Sequence, residues 1–97
     1  MREREIEQYF IRRVREAGGL QRKFVSPGHK GVPDRIAVFQ GDVFFVELKA
    51  PGEPLREDQA REHVKLRNAG CEVFVIDSKE AVDYFIGKAT CSQTFTC

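Results

Sequence analysis

The segment that most constrains the fold is residues 31–49, which has the pattern of two apolar strands joined by a tight turn. Residues 32–39 and 42–48 are rich in Val, Ile and Phe, and Gln40 and Gly41 stand between them. A two-residue loop whose glycine takes a positive φ is a common hairpin connection. The sequence therefore predicts an antiparallel hairpin that turns at Gln40 and Gly41.

Three ionisable residues, Asp34, Glu47 and Lys49, lie at the open end of this predicted hairpin. In the register set by the turn, Asp34 faces Glu47, and Lys49 shares their face because side chains alternate along a strand. Two directly opposed carboxylates repel each other, so a fold normally avoids them unless a cation lies between them. The arrangement indicates a divalent-metal site for phosphodiester chemistry. The alternative is a set of solvated charges at strand ends.

Length and composition limit the other possibilities. Ninety-seven residues make one domain, no apolar run reaches membrane-spanning length, and the N-terminus is charged rather than signal-like. The three cysteines have no paired Cys-x-x-Cys spacing, which argues against a zinc ribbon and against a disulfide framework. We therefore expect a cytoplasmic protein without membrane contact.

The charge distribution gives a weak indication of the kind of molecule that the protein binds. The net charge is only +1, but residues 1–50 hold ten Lys and Arg against seven Asp and Glu. Basic side chains could therefore collect on one side, which favours a polyanionic partner. A surface of mixed sign explains the charges equally well.

The first predicted helix covers residues 2–17, with Ile6, Phe10 and Val14 on one face. Extending this apolar stripe backwards places Glu3 on the same face and Glu7 at its border. A carboxylate there could point at a site on the rim of the sheet. Acidic residues in a first turn are equally explained by their favourable interaction with the helix dipole.

The remaining elements follow from periodicity and turn residues. We predict a short strand at 20–26, a second helix at 55–69 that begins near Pro54, a strand at 72–76 parallel to the hairpin, and a third helix ending at Gly87. Asp77 and Glu80 have the spacing of a capping box at the start of that third helix.

Polar residues in two of these segments have open roles. Gln59 and His63 fall on the mostly inward face of the second predicted helix. They are either core-edge residues with hydrogen bonds to the backbone or, for Gln59, a group that looks into the Lys49 site. In the loop at 27–31, His29 could be a metal ligand, a general base or an exposed residue. His29 and Lys30 could also contact DNA phosphates.

The element order, with Pro33-Asp34 and Glu47-Leu48-Lys49 in place, resembles the PD-(D/E)xK nuclease superfamily. Gly-Val-Pro-Asp-Arg-Ile at 31–36 and Phe-Val-Glu-Leu-Lys-Ala-Pro-Gly at 45–52, followed by Gln59, look like the stand-alone VRR-NUC domains of phages and bacteria. The resemblance covers about residues 3–86. It implies a restriction-endonuclease-like α/β fold, a mixed β-sheet flanked by helices in the order αβββαβα. We expect the domain to span 1–87, with a weakly ordered tail at 88–97.

The resemblance also implies Mg²⁺- or Mn²⁺-dependent cleavage of DNA. Small members of the family look like homodimeric Holliday-junction resolvases, so four-way junctions are the first expected substrate. Flaps or single strands in phage replication and repair are the second. A catalytically idle nucleic-acid-binding module is the third possibility, which the intact set of acids, lysine and glutamine disfavours.

Roles follow from the resemblance residue by residue. Asp34 and Glu47 match the metal-binding acids, assisted by the carbonyl of Leu48, and Lys49 matches the catalytic lysine. Gln59 matches the helix glutamine of the family. Glu3 matches an N-terminal-helix glutamate that holds a metal-bound water, with Glu7 as the alternative. The candidates for direct contacts to DNA are the basic residues around these positions: Lys23, His29, Lys30 and Arg35.

Overall fold

The computed structural model describes residues 1–91. The elements follow in the order α1 (Glu3–Glu16), β1 (Leu20–Lys23), β2 (Arg35–Phe39), β3 (Asp42–Leu48), α2 (Glu57–Asn68), β4 (Glu72–Ile76) and α3 (Lys79–Thr90). The sheet has the strand order β1-β2-β3-β4, in which β1, β2 and β3 are antiparallel and β4 is parallel to β3. The α/β class, the mixed sheet and the αβββαβα order are confirmed.

The β2–β3 hairpin has the turn and register that the sequence predicts. Gln40 and Gly41 both have positive φ, 50° and 90°, the backbone of a tight turn that matches the twist of the flanking strands. Ile36 pairs with Phe45, and the last β2 pair joins Arg35 to Val46. Continuing this register by one residue places Asp34 opposite Glu47.

One face of the sheet carries the apolar core. Phe44, Val46 and Leu48 of β3 point to this face and pack with buried residues of α1 and α3. The Phe85 ring lies at the centre, 4.9 Å from the Phe74 ring and 5.6 Å from the Phe44 ring. Burial of this apolar surface stabilises the fold and fixes α1 and α3 on one side of the sheet.

The other face of the sheet is covered by α2, which forms the crossover between the parallel strands β3 and β4. The buried residues of α2 are polar: Gln59 and His63. Because β3 alternates its side chains, Glu47 points to this face while its neighbours enter the apolar core. None of the helices in residues 1–91 is long and apolar enough to cross a membrane.

Three predicted element boundaries were wrong. The second helix begins at Glu57 rather than at residue 55, because its N-cap is Arg56, whose N–H donates to the Gln59 side chain. The α3 N-cap is Ser78 rather than Asp77, because Ser78 Oγ accepts a hydrogen bond from the Ala81 N–H. The short strand β1 ends at Lys23 rather than at residue 26.

The third helix also continues beyond its predicted end at Gly87. It extends to Thr90, and Ala89 is completely buried. Burial of this last turn against the domain outweighs the modest helix-weakening effect of one glycine. The first residues of the expected tail are therefore helical. Residues 92–97 of that tail lie outside the described residues.

Candidate active site

The centre of the candidate site is the acidic pair formed by Asp34 and Glu47. Asp34 Oδ2 accepts a hydrogen bond of 2.9 Å from the Leu48 N–H, which holds the Asp34 side chain against the end of β3. The Glu47 side chain is almost completely buried. Burial and, after it, the adjacent Asp34 carboxylate raise the pKa of Glu47 to about 8. Such a pair is stabilised by a proton or by a bound cation.

Two side chains from α2 hold the Glu47 carboxylate. Gln59 Nε2 donates to Glu47 Oε2 over 3.2 Å, and His63 Nε2 lies 3.3 Å from Glu47 Oε1. The Gln59 carbonyl oxygen accepts from the Arg56 N–H at 2.9 Å and so also caps the helix. Burial lowers the pKa of His63, which keeps the ring neutral at physiological pH. A neutral ring protonated at Nε2 donates a hydrogen bond to Glu47.

Lys49 provides a positive charge beside this acidic pair. Its main-chain N–H donates to the Ile76 carbonyl over 2.9 Å, so β4 fixes its position. The side chain is 5% exposed, and its Nζ lies 4.0 Å from Glu53 Oε2. The Lys49 ammonium acts against burial and lowers the pKa of Glu47. Lys49 is thus a buried cation that acts electrostatically on Glu47 rather than a flexible surface lysine.

The structure separates the roles of the two glutamates of α1. Burial and, after it, the Asp34 charge raise the pKa of Glu3, so Glu3 lies in the electrostatic field of the site. Glu7 instead accepts a 2.8 Å hydrogen bond from Arg35 Nη2, while Arg35 Nη1 donates to Gln21 Oε1. Glu7 is thus engaged by Arg35, whereas the pKa of Glu3 responds to the Asp34 charge.

The four predicted DNA contacts have different surroundings. Lys23 and Lys30 are exposed, whereas Arg35 is buried with its guanidinium bound to Glu7, so the structure does not present Arg35 to DNA. His29 is half-exposed and lies 2.8 Å from Glu62 of α2. This contact ties His29 to α2 rather than to the acidic pair.

A groove next to Asp34 leads from the exposed basic side chain of Lys23 to the acids. It is lined by Glu3, Glu7, Lys23, Phe24, Val25, Asp34 and Arg35. The loop before Asp34 packs closely on α2, since a Cβ on Gly31 would clash with the Asp58 carbonyl oxygen. Asp34 is therefore reached through this groove, whereas Glu47 is buried against α2.

The donor set fits a small hard cation. Among residues 1–91, no three His, Cys, Asp or Glu side chains form a group that could hold a metal ion. Asp34 and Glu47 supply two carboxylates. In a strand the N–H and C=O of one residue point the same way, so the Leu48 carbonyl lies on the Asp34 side, like its N–H. Mg²⁺ commonly binds through one or two carboxylates and keeps several waters, so these residues fit it.

Comparison with known proteins agrees with this arrangement. No protein-family model matches the chain. Over 81 residues, 82% of this chain and 87% of the relative, it is 48% identical to "Putative nuclease p44" of Acyrthosiphon pisum secondary endosymbiont phage 1. A solved structure described as a VRR_NUC domain matches with a TM-score of 0.81 and 34% identity, covering 88% of this chain and 94% of that chain. The chain belongs to the VRR-NUC nuclease family.

In this VRR-NUC domain, the contact between His63 and Glu47 is the feature that sequence reasoning missed. The sequence places His63 on the inward face of α2, one turn after Gln59, but the pattern does not show which group the ring reaches. The i,i+4 spacing of two polar residues on a buried face was the available signal. The structure brings Asp34, Glu47, Lys49 and Gln59 together, as the sequence predicted.

Proposed function

We propose that this VRR-NUC domain is a divalent-metal-dependent endonuclease that hydrolyses phosphodiester bonds in DNA. The observation that carries the proposal is the Asp34–Glu47 pair, in which Glu47 is buried, Asp34 is half-buried and the pKa of Glu47 is raised to about 8. A protein that only binds DNA has no need to bury a carboxylate against a second one, because exposed carboxylates cost less free energy. Membership in the VRR-NUC family supports a nuclease over an idle binding module.

Asp34, Glu47 and the Leu48 carbonyl would hold the metal, Mg²⁺ or Mn²⁺. A bound metal supplies a water of lowered pKa and neutralises charge on the scissile phosphate. Lys49 orients the attacking water or stabilises the negative charge that develops on the phosphate. Glu3 accepts a hydrogen bond from water at the mouth of the site. Gln59 keeps Glu47 Oε2 in place.

For the substrate we propose four-way DNA junctions, cut by a homodimer. Residues 1–91 offer one such pair, Asp34 with Glu47, whereas resolution of a junction needs two symmetric cuts. A two-fold dimer with an isologous interface supplies two sites in the matching symmetry. Tyr84 on α3 is 62% exposed and offers apolar surface for such an interface. DNA as the substrate agrees with the cytoplasmic location that the sequence suggests.

The deciding experiment is cleavage of labelled junction, flap, duplex and single-stranded DNA with Mg²⁺ and with Mn²⁺. We expect paired nicks in opposing strands of the junction, and light scattering should show a dimer at micromolar concentration. The matched control is Asp34→Asn, which keeps the side-chain shape and removes the charge. Preferential trimming of flaps or single strands would favour the replication and repair alternative. Binding without any cleavage, at the level of the control, would contradict the nuclease proposal.

A further inference from the structure

His63 is a fully buried imidazole with an unusual pattern of hydrogen bonds. Its Nε2 lies 3.3 Å from Glu47 Oε1, whereas its Nδ1 has no hydrogen-bond partner among the described residues. A proton on Nδ1 would leave a buried donor without an acceptor, which is unfavourable. The arrangement therefore favours the neutral tautomer with its proton on Nε2, which donates to Glu47.

Gln59 and His63 each contact a different oxygen of the Glu47 carboxylate. Gln59 Nε2 donates to Oε2, and His63 Nε2 donates to Oε1. Both donors come from one face of α2, and both side chains are almost completely buried. A carboxylate with a donor on each oxygen has its plane fixed, while a carboxylate with one donor can still rotate about its last bond.

We propose that His63 is a positioning residue that fixes the orientation of the Glu47 carboxylate relative to Asp34. This inference rests on the proposed function, because it assigns Glu47 a ligand role. Partners that orient metal-binding side chains commonly change metal affinity or activity by 10- to 100-fold when they are removed. His63 thus acts through Glu47 and need not contact DNA or metal itself.

The competing explanation is that His63 only fills space beneath the sheet. Three substitutions separate the two roles. His63→Leu fills the volume but removes the donor, and His63→Gln places an amide N–H near the position of Nε2. His63→Asn is the matched control, because its shorter amide is polar but does not reach Glu47.

The test measures Mn²⁺ binding directly, from the rise in the melting temperature of each variant with Mn²⁺ concentration, alongside cleavage with Mn²⁺. A ligand that binds only the folded state raises stability in proportion to the logarithm of its concentration over its Kd. We expect the apparent Mn²⁺ affinity to fall about tenfold or more in His63→Leu and His63→Asn. In His63→Gln it should stay within about threefold of the wild type, which is clearly below the 10- to 100-fold loss expected when the partner is removed.

The possible results distinguish a positioning role of His63 from a space-filling one. Equal Mn²⁺ affinity in the wild type and in His63→Asn would overturn the positioning role while leaving the nuclease proposal intact. If the wild type neither binds Mn²⁺ nor cleaves any substrate, the proposed function and this inference both fail. If His63→Leu does not fold, as judged by circular dichroism, the pair His63→Gln and His63→Asn still separates donor from volume. Equal loss in that pair would refute the inference.

Discussion

Alternate residues of β3 enter two different environments although both are buried. Phe44, Val46 and Leu48 pack among apolar side chains of α1 and α3, where burial itself is favourable. Glu47, between them in sequence, is just as buried but lies among Asp34, Gln59 and His63. Burial of its charge is unfavourable and raises its pKa. The apolar face of the strand stabilises the fold, whereas the polar face holds a carboxylate, Glu47, whose burial costs free energy.

The largest expected effect is on the apolar face. Phe44→Ala removes a ring that packs at 5.6 Å from Phe85 and at 6.1 Å from Phe74. We expect the free energy of unfolding to fall by roughly 3–5 kcal/mol. Urea denaturation followed by circular dichroism measures this loss. A change below about 1 kcal/mol, the size expected for an ordinary substitution, would contradict the assignment of this face as the core.

The same measurement on the polar face should give the opposite result. Glu47→Gln keeps the shape and removes the charge, so metal-free stability should stay equal or rise because repulsion with Asp34 is relieved. Cleavage should fall by about a thousandfold, corresponding to the several kcal/mol that a lost metal site costs. Single-turnover cleavage with Mg²⁺ gives the rate. Full activity in this variant would show that Glu47 is not part of the site.

Lys49 provides an intermediate case, because it is buried beside the acids yet carries the opposite charge. Lys49→Met retains most of the apolar stem, and we expect the rate of the chemical step to fall by about a hundredfold. DNA affinity in Ca²⁺ should change much less, since one phosphate contact among many carries little of the binding free energy. Lys30→Ala, which changes an exposed lysine, serves as the comparison. Poor binding with normal cleavage at saturation would make Lys49 an anchor for DNA.

The last expected effect, confined to the metal-free protein, is a dependence of stability on pH. The pKa of Glu47 in the folded, metal-free protein is about 8, against an ordinary value of 4.5. The folded state therefore binds a proton more tightly than the unfolded state, and the stability this contributes is complete below pH 4.5 and is lost as the pH rises through 8. Urea denaturation in EDTA at several pH values should show this decline in the wild type. Its absence from the difference between the wild type and Glu47→Gln would disprove the raised pKa.

The local patterns of the sequence determined much of this architecture. Turn chemistry at Gln40 and Gly41 sets the hairpin register, and that register alone brings Asp34 opposite Glu47. The apolar stripe of α1 likewise predicts its buried face, because helical periodicity is independent of the partner. These features depend on neighbours in the chain and can therefore be predicted without knowledge of the packing.

The features that were missed depend on contacts between distant elements. From the sequence, Arg35 is expected at the surface. In the structure it is buried and donates hydrogen bonds to Glu7 of α1 and Gln21 of β1. The continuation of α3 past Gly87 depends on the burial of Ala89. The role of His63 depends on the distance between α2 and β3. A single sequence contains no direct record of such pairings.

The two hydrogen bonds of Gln59 link the start of α2 to the acidic pair. A carboxamide has one acceptor end and one donor end, and the Arg56 N–H takes the acceptor end. Only the amino end can then face Glu47, so the start of α2 dictates the polarity of the group presented to the acid. If α2 began one residue earlier or later, this orientation would be lost. One side chain, Gln59, thus links the position of the first turn of α2 to the geometry of the acidic pair.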